Sequence, residues 1–579
     1  MSVKGWVEER LGLPVARYQA PVPGGPSALR TLGPVLAFLF VVELVTGIVI
    51  AMYYSPSTTD AWASVAYLED QVRMGSFVRG LHRWGMGAIV LVLGMHLIAT
   101  AVNGAYRRPR EVTWWLGVAL FLVVLAYSVS GFILRWDQYG YWATKVELAY
   151  VTEGPGPGHK VVDALQGGNE FGNLTLTRFY ALHVLLLPVV TFLLVWAHRA
   201  LVRRHGPRAD AGARAYGRPW PDQAIRNVIA MVVVLAALVA WSAHRGGAGL
   251  EAPADSTSAF DARPQWYFRP MFELQKYVPA SMKLVVALGL PLLVVGGLVV
   301  LPLLDRKPVR SRLARNGVIA GLACFGLVLG WSIVSSYRAD NRDAGLRQRH
   351  AASQKLARRA RRLAVANGVP SPGGVAVYTT APFYRARTAW AKACAACHEG
   401  DDHKGPLIGA GYDDRAWIRG VLDDASHDAY FGKTKMVKAE DAMPKTKPAK
   451  PEDLDALVEM IYAETGAKDA DPAKAKRGQE VFDSDDDDGD GEDDDGTCTS
   501  CHERTGVEGS SGPNLAGRGS PAYLAAFIRN PAEARFFGVR DEMKAFGKDK
   551  LSDEDLAALV DYLVWLRTAT PADVAALDE

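Results

Sequence analysis

Cysteine is scarce in this chain, with 5 among 579 residues. So few cannot build the disulfide framework of a small secreted scaffold. A surplus of one charge is also missing, since 65 Lys and Arg face 62 Asp and Glu for a formal net charge of +3. The basic residues fall in short clusters rather than one stripe, so no nucleic-acid partner is expected. A cleavable signal peptide is not expected either: the first thirty residues set charges on both sides of short apolar groups, and the first long apolar run starts near Thr31. The mean hydropathy of +0.02 averages two unlike halves. Long apolar stretches fill the chain up to about residue 340, and polar, charged sequence follows.

The apolar half is rich in runs of membrane length. A helix crosses a bilayer with about 20 predominantly apolar residues, and seven stretches qualify: 31–54, 78–103, 113–136, 177–202, 226–244, 282–304 and 316–337. The connections 104–112, 203–225 and 305–315 carry clustered Arg and Lys, whereas 55–77, 137–176 and 245–281 are longer and poorer in them. Positive charge favours the cytoplasmic side. This predicts a cytoplasmic segment 1–30 and, after an odd number of crossings, a C-terminal half on the outer side of a bacterial inner membrane. Residues 338–363 are Arg-rich yet fall outside by this count, and read as a solvated helix or linker.

Four of the five cysteines lie in two Cys-x-x-Cys-His motifs, Cys394–His398 and Cys498–His502. This pattern attaches c-type haem. Cys394 with Cys397, and Cys498 with Cys501, supply the thioethers, and His398 and His502 become the proximal iron ligands. A methionine precedes an amphipathic helix in each unit: Met443 before Pro451–Tyr462 and Met543 before Leu551–Leu563. Met443, with Met436 as its competitor, is the expected distal ligand of the first haem, and Met543 that of the second. Gly405-Pro406-Leu407 and Gly512-Pro513-Asn514-Leu515 resemble the loop that backs a proximal histidine. Residues 381–466 and 473–570 thus read as tandem copies of one small helical unit after a linker at 341–380. The acidic run Asp483–Asp495 mimics part of a calcium loop at Asp486, Asp488, Asp490 and Gly491. Its twelfth position is Thr497, so a solvated insertion that steers a basic electron acceptor is preferred. Cys324 stands alone in an apolar run and is expected to be a buried thiol.

The membrane half carries its own histidine pattern. His82 and His96, 14 apart in the second span, lie within roughly 40° of one another and about 21 Å apart along a helix. His183 and His198, 15 apart in the fourth span, share a face about 22 Å apart. Ionisable groups at such depth are costly and usually functional. Two parallel helices with matched pairs can hold two b haems stacked across the bilayer, His82 with His183 on the outer side and His96 with His198 on the cytoplasmic side. Gly33 and Gly47 in the first span, and Gly117 and Gly131 in the third, repeat the spacing of 14. Glycine admits the close approach that a flat porphyrin needs.

Thr46–Tyr54, Leu81–Gly85, Arg108–Trp114, Trp136–Ala143 and Thr175–His183 carry a resemblance. Through them residues 31–205 resemble cytochrome b of the photosynthetic bc-type complex. Residues 260–337, with Pro264, Gln265, Trp266 and Tyr267 near their start, resemble subunit four of that complex. The resemblance implies quinol oxidation at the outer face, with Pro264–Tyr267 at the catalytic pocket. One electron would go by a separate Rieske iron–sulfur protein to cytochrome c. The other would cross through the b haems to a cytoplasmic-side quinone, coupled to proton translocation. It also implies Arg83 and Arg178 as partners of haem propionates, and a homodimer within a larger complex.

Three departures stand out. The family motif is usually Pro-Glu-Trp-Tyr, but here position 265 is glutamine, which cannot ionise. Leu39 occupies the place where the photosynthetic complexes attach an extra haem through cysteine, so none is expected. Glu43 lies mid-span where the family tends to have glutamine, and is expected to be neutral or paired.

The fold expected is all-α: a seven-span bundle binding two b haems, followed by two small soluble helical cytochrome c domains. The four-helix core covers 31–210 and the three-helix part 220–340. The function expected is that of the cytochrome b and c subunit of a quinol–cytochrome c oxidoreductase, partnered by a Rieske protein, the quinone pool, an electron acceptor and the lipid membrane. The alternatives are a dihaem anchor of another respiratory complex and an electron conduit without quinol bifurcation.

Overall fold

The computed structural model describes residues 21–153, 158–206, 214–247, 249–305, 312–435, 443, 445, 450–484, 498–504, 512–536 and 543–578. It divides into two compact units, Met1–Val377 and Tyr378–Glu579.

The first unit holds seven helices long and apolar enough to cross a membrane. They are α1 (Ala28–Ala51), α2 (Gly75–Val102), α3 (Glu111–Ile133), α4 (Asn173–His205), α5 (Pro219–Arg245), α6 (Ala280–Leu304) and α7 (Arg315–Arg342). All seven expected spans are present, with ends shifted by a few residues. Helices α4 and α5 stop at Gly206 and Gly246, whose φ of +66° and +65° suit glycine far better than a residue with a Cβ.

Helix α1 packs along α2, α3 along α4, and α5 against α2. Val35, Leu36, Leu39, Ile89, Val92, Leu93, Val124 and Leu238 form one core shared by α1, α2, α3 and α5. Leu39 is fully enclosed there. The indole nitrogens of Trp114 and Trp115 donate to the carbonyls of Leu298 and Val299 (2.6 and 2.9 Å), pinning α6 to α3. The other side of α6 is bare leucine, with Leu293 73% exposed, as a lipid-facing surface requires. Cys324, expected to be buried, is exposed on α7. An apolar run that faces lipid does not need to enclose its thiol.

The Arg-rich stretch forms the end of α7 and a separate helix, α8 (Ala344–Asn367). Its small face, Ala357, Ala360 and Ala364, is buried, and α8 packs on the short helix Ala61–Asp70. Arg361 pairs there with Asp70. The expected linker 341–380 is therefore largely a docked helix, because alanines at helical spacing give it an apolar stripe.

The second unit contains α9 (Tyr384–Ala393), α10 (Arg415–Asp424), α11 (Pro451–Glu464), α12 (Pro472–Asp483), α13 (Pro521–Arg529) and α14 (Asp553–Leu566). Its packing departs from two successive units. Helix α9, which leads into the first haem motif, packs on α14 from the far end of the chain. Ala386, Trp390 and Cys394 share one core with Leu524, Ile528, Leu559, Tyr562 and Leu566. A second core joins Ile418, Leu457, Ile461, Phe482 and Leu515, with Cys498 against it. There α11 lies on α12 so closely that a Cβ at Gly478 would come within 2.0 Å of the carbonyl oxygen of Ala456. Halves 381–466 and 473–570 thus exchange helices. The crossing is fixed at Asp413, which holds Arg518 and Arg567 from the other half, with Arg567 Nη2 at 3.1 Å.

Candidate functional site

The four membrane histidines stand against the four glycines identified by spacing. A Cβ on Gly47 would lie 3.1 Å from Cε1 of His82, and one on Gly131 would lie 3.0 Å from Cε1 of His183. The corresponding distance is 3.7 Å both for Gly33 with His96 and for Gly117 with His198. The ring centroids of His82 and His183 are 6.3 Å apart. Two metal–imidazole bonds of about 2 Å plus half a ring at each end span about that distance, so a metal between these rings fits.

The hydrogen bonds also fix the tautomer. Thr46 Oγ1 donates to the carbonyl of Val42 (2.7 Å), so it accepts from Nδ1 of His82 at 3.1 Å. Ser130 Oγ lies 2.8 Å from Nδ1 of His183, and its own proton goes to the carbonyl of Tyr127. Nδ1 of His198 faces the carbonyl of Thr113 at 3.0 Å. Each partner places the proton on Nδ1 and leaves Nε2 free to bind a metal. Glu43, expected neutral or paired, is paired: Oε2 lies 3.0 Å from Nδ1 of His82. Gly85 has no Cβ because one would sit 2.0 Å from Glu43 Oε1.

The unequal spacings of 14 and 15 have a local cause. Residues Ala181–Leu186 form a π-turn. Such a turn absorbs one extra residue within a helix, so His183 and His198 keep the register of His82 and His96.

Pro264–Tyr267 lie in the connection between α5 and α6, against α2, α3 and the helix Gln138–Glu153. Gln265 Nε2 donates to the hydroxyl of Tyr139 (2.7 Å), and its Oε1 accepts from Arg83. The Tyr267 hydroxyl meets Ser128. A Cβ on Gly87 would lie 4.0 Å from Trp266 Nε1. Arg263 and Arg269 both reach Asp340 on α7 (3.1 and 2.8 Å) and hold the segment in place. The expected propionate partners are engaged by protein groups: Arg83 by Gln265, and Arg178 by the carbonyls of Ala164 (2.6 Å) and Asp163 (3.4 Å).

In the second unit the histidines of the two Cys-x-x-Cys-His motifs repeat one geometry. Nδ1 of His398 donates to the carbonyl of Pro406 (2.8 Å), and Nδ1 of His502 to that of Pro513 (2.9 Å). Gly405 and Gly512 back the two rings, where a Cβ would lie 2.9 and 2.6 Å from Cε1. Met543 packs against the core that contains Cys394, not the one beside Cys498. The exchange of helices thus sets Met543, expected beside the second motif, on the core of the first. Met443 is exposed. Met436 and most of the acidic run lie outside the described residues.

Comparison with known proteins matches residues 17–206 to the family cytochrome b/b6/petB, and residues 253–338 to cytochrome b(C-terminal)/b6/petD. Residues 474–563 match the family of cytochrome C oxidase, cbb3-type, subunit III. The cytochrome b subunit of a cytochrome bc complex from Chlorobaculum thiosulfatiphilum is 30% identical over 356 residues, 58% of this chain and 80% of that protein. This chain belongs to the cytochrome b family. Cytochrome b6 of Cyanidium caldarium is 36% identical over 207 residues, 35% of this chain and 95% of that protein. A solved chain of a hyperthermophilic respiratory Complex III shares the fold, with a TM-score of 0.51 at 22% identity, over 58% of this chain and 91% of its own. This cytochrome b is therefore a multi-pass membrane protein with a cytochrome c region fused at its C-terminal side, and haem is its cofactor.

Reasoning from the sequence missed the hydroxyls that orient the rings. The signal was present: Thr46-Gly47 and Ser130-Gly131 are matched pairs, each setting a hydroxyl beside the glycine that faces the same ring.

Proposed function

We propose that this cytochrome b subunit of a quinol–cytochrome c oxidoreductase complex carries two b haems and two c haems and oxidises quinol beside Gln265. The reaction is bifurcated, with a separate Rieske iron–sulfur protein as one electron acceptor, and is coupled to proton translocation. The observation that carries the reading is the double histidine–glycine register, with His82 and His183 at 6.3 Å and Nδ1 protonated on both. Haem, when bound, supplies reversible one-electron transfer. The chain's own part is to orient Nε2 of four histidines, to exclude water from the rings, and to hold the Gln265 segment by Arg83, Tyr139 and Asp340. The first c haem takes His398 and Met543, and the second takes His502 and Met443. The protein lies in a bacterial inner membrane, with the cytochrome c region outside, and works as a homodimer with the quinone pool.

The test is a reduced-minus-oxidised spectrum of the purified complex with pyridine haemochrome quantitation and quinol as reductant. Two b and two c haems per chain, with the b haems reduced by quinol, are expected. Fewer than two b haems, or b haems that do not respond to quinol, would overturn the reading.

A further inference from the structure

Oxidation of a quinol to a quinone breaks two O–H bonds and releases two protons with two electrons. In an apolar pocket the protons need an acceptor. None of the groups that bound Gln265 can serve near neutral pH. Gln265 is an amide, held from both sides by Tyr139 and Arg83. Arg83 is a cation. Burial pushes the phenol of Tyr139 up to about 12 and raises that of Tyr267.

The Glu147 carboxyl lies beside this cluster, and among the described residues no ion pair or hydrogen bond engages it. The helix Gln138–Glu153 is stapled to the segment 263–275 at two points. At one end the Tyr139 hydroxyl donates to the carbonyl of Arg263 (2.7 Å), and near the other the Tyr150 hydroxyl donates to Oε1 of Gln275 (2.8 Å). Glu147 lies between these staples. Its Oε2 is buried and makes no hydrogen bond among the described residues. The carboxyl is close enough to Tyr139 and Tyr267 for its charge to act on both phenols. A buried carboxyl oxygen with no donor to its lone pairs is costly in a merely structural position.

We infer that Glu147 is the catalytic base that accepts a quinol proton, the task that the amide of Gln265 cannot perform. This rests on the proposed quinol oxidation. One quinol O–H bond breaks and its proton passes to the Glu147 carboxylate, which becomes a neutral acid. Glu147 passes that proton to water and then accepts the second, and the two electrons go one each to the b haem and the iron–sulfur partner. Burial pushes the Glu147 carboxyl up to about 7, the range a general base needs. The titratable groups facing it are Tyr139 from its own helix and Tyr267 from the segment; Arg83 faces both phenols and Arg135 that of Tyr139. Lys145 is turned to the rings of Tyr141 and Trp142. The helix Gly158–Gln166, helix α3 and residues 285–289, also packed on this helix, bring no charged group to Glu147 among the described residues.

The test uses the purified complex with Glu147→Gln and Glu147→Asp, assayed for kcat and KM against pH with a benzoquinol and a naphthoquinol analogue. Only the carboxylate can accept, so wild-type kcat is expected to rise with pH through about 7. In Glu147→Gln kcat is expected to fall by about 10²-fold and this limb to disappear, while KM changes little. Gln265→Glu added to Glu147→Gln is expected to restore turnover with a shifted limb. A Glu147→Gln complex within twofold of wild type, or one that keeps the limb, overturns the inference. If Glu147→Gln lacks b haem, Glu147→Asp decides: a shifted limb supports the inference and an unmoved one overturns it. A wild-type complex with full haem content and no quinol oxidation overturns the functional reading itself, and the inference with it.

Discussion

The glycines beside the histidines allow a graded test of the haem sites. Carbon atoms attract best at about 3.5–4.0 Å. An alanine at 131 would put its Cβ 3.0 Å from Cε1 of His183, and one at 47 would put it 3.1 Å from Cε1 of His82. Each ring must therefore retreat by about half an ångström. It is not free to do so, because Nδ1 is held by the residue preceding the glycine, Ser130 at 2.8 Å or Thr46 at 3.1 Å. Overpacking of this kind costs about 1–3 kcal/mol, and at about 1.4 kcal/mol per decade haem affinity falls about 5- to 150-fold. At Gly33 and Gly117 the same methyl would meet Cε1 at 3.7 Å, an ordinary contact. The assay is the b-to-c haem ratio by pyridine haemochrome in purified complex. Haem c, which the proposed function attaches covalently, serves as the internal standard. Gly131→Ala and Gly47→Ala are expected to lower the ratio toward half its wild-type value, while Gly33→Ala and Gly117→Ala leave it unchanged. Equal loss in all four, or greater loss at 33 and 117, would refute the reasoning.

Other perturbations follow from the same geometry. His198→Leu is expected to remove one b haem of two and leave the His82–His183 site spectrally intact, as read by redox titration of the α-band. Met543→Leu, in a chain with Cys498 and Cys501 both replaced by alanine, is expected to abolish the methionine–iron charge-transfer band of the remaining haem. Persistence of that band would return Met443 to the first site. Asp137 is fully buried, paired with Arg135, and accepts from the backbone nitrogens of Gly140 (2.8 Å) and Glu251 (2.9 Å). Asp137→Ala strands a buried guanidinium and is expected to cost about 3–5 kcal/mol in denaturant titrations of the complex. The Arg415 guanidinium, at 2.7 Å, holds the Glu459 carboxyl below its usual 4.5. That contribution is complete above the unfolded value and is lost as pH falls through the depressed one. Thermal melts of the complex below about pH 4.5 are therefore expected to show acid sensitivity of the cytochrome c region that Glu459→Gln reduces.

What could be read from the sequence was what depends on local register. Helical periodicity set His82 with His96, and the glycines with the rings, because both patterns run along single helices. The π-turn at 181–186 was not legible, since nothing in Ala-Leu-His-Val-Leu-Leu distinguishes it from an α-turn. Arg83 was assigned to a haem edge by resemblance, and only the tertiary contact with Gln265 gives its other partner. The exchange of helices in the cytochrome c region was hidden by the likeness of its halves. Helices α11 and α14 carry nearly the same pattern, so either could cover either haem, and the choice lies in the buried Asp413–Arg518–Arg567 cluster. Glu147 carries no motif or spacing that marks it in the sequence, and only the staples at Tyr139 and Tyr150 set it beside the Gln265 segment.

The crossed cores have a consequence for biosynthesis. The partner of the first haem motif is α14, roughly 150 residues further along the chain. At about 5–20 residues per second, Cys394 and Cys397 wait on the order of 10 s for the helix that encloses them. During that interval the thiols remain accessible to the haem-attachment machinery. The second motif, by contrast, emerges just after α10–α12 have formed most of its pocket. A nascent chain halted before α14 would carry its earlier-made motif open and its later-made one nearly closed, so the order of maturation would run against the order of translation.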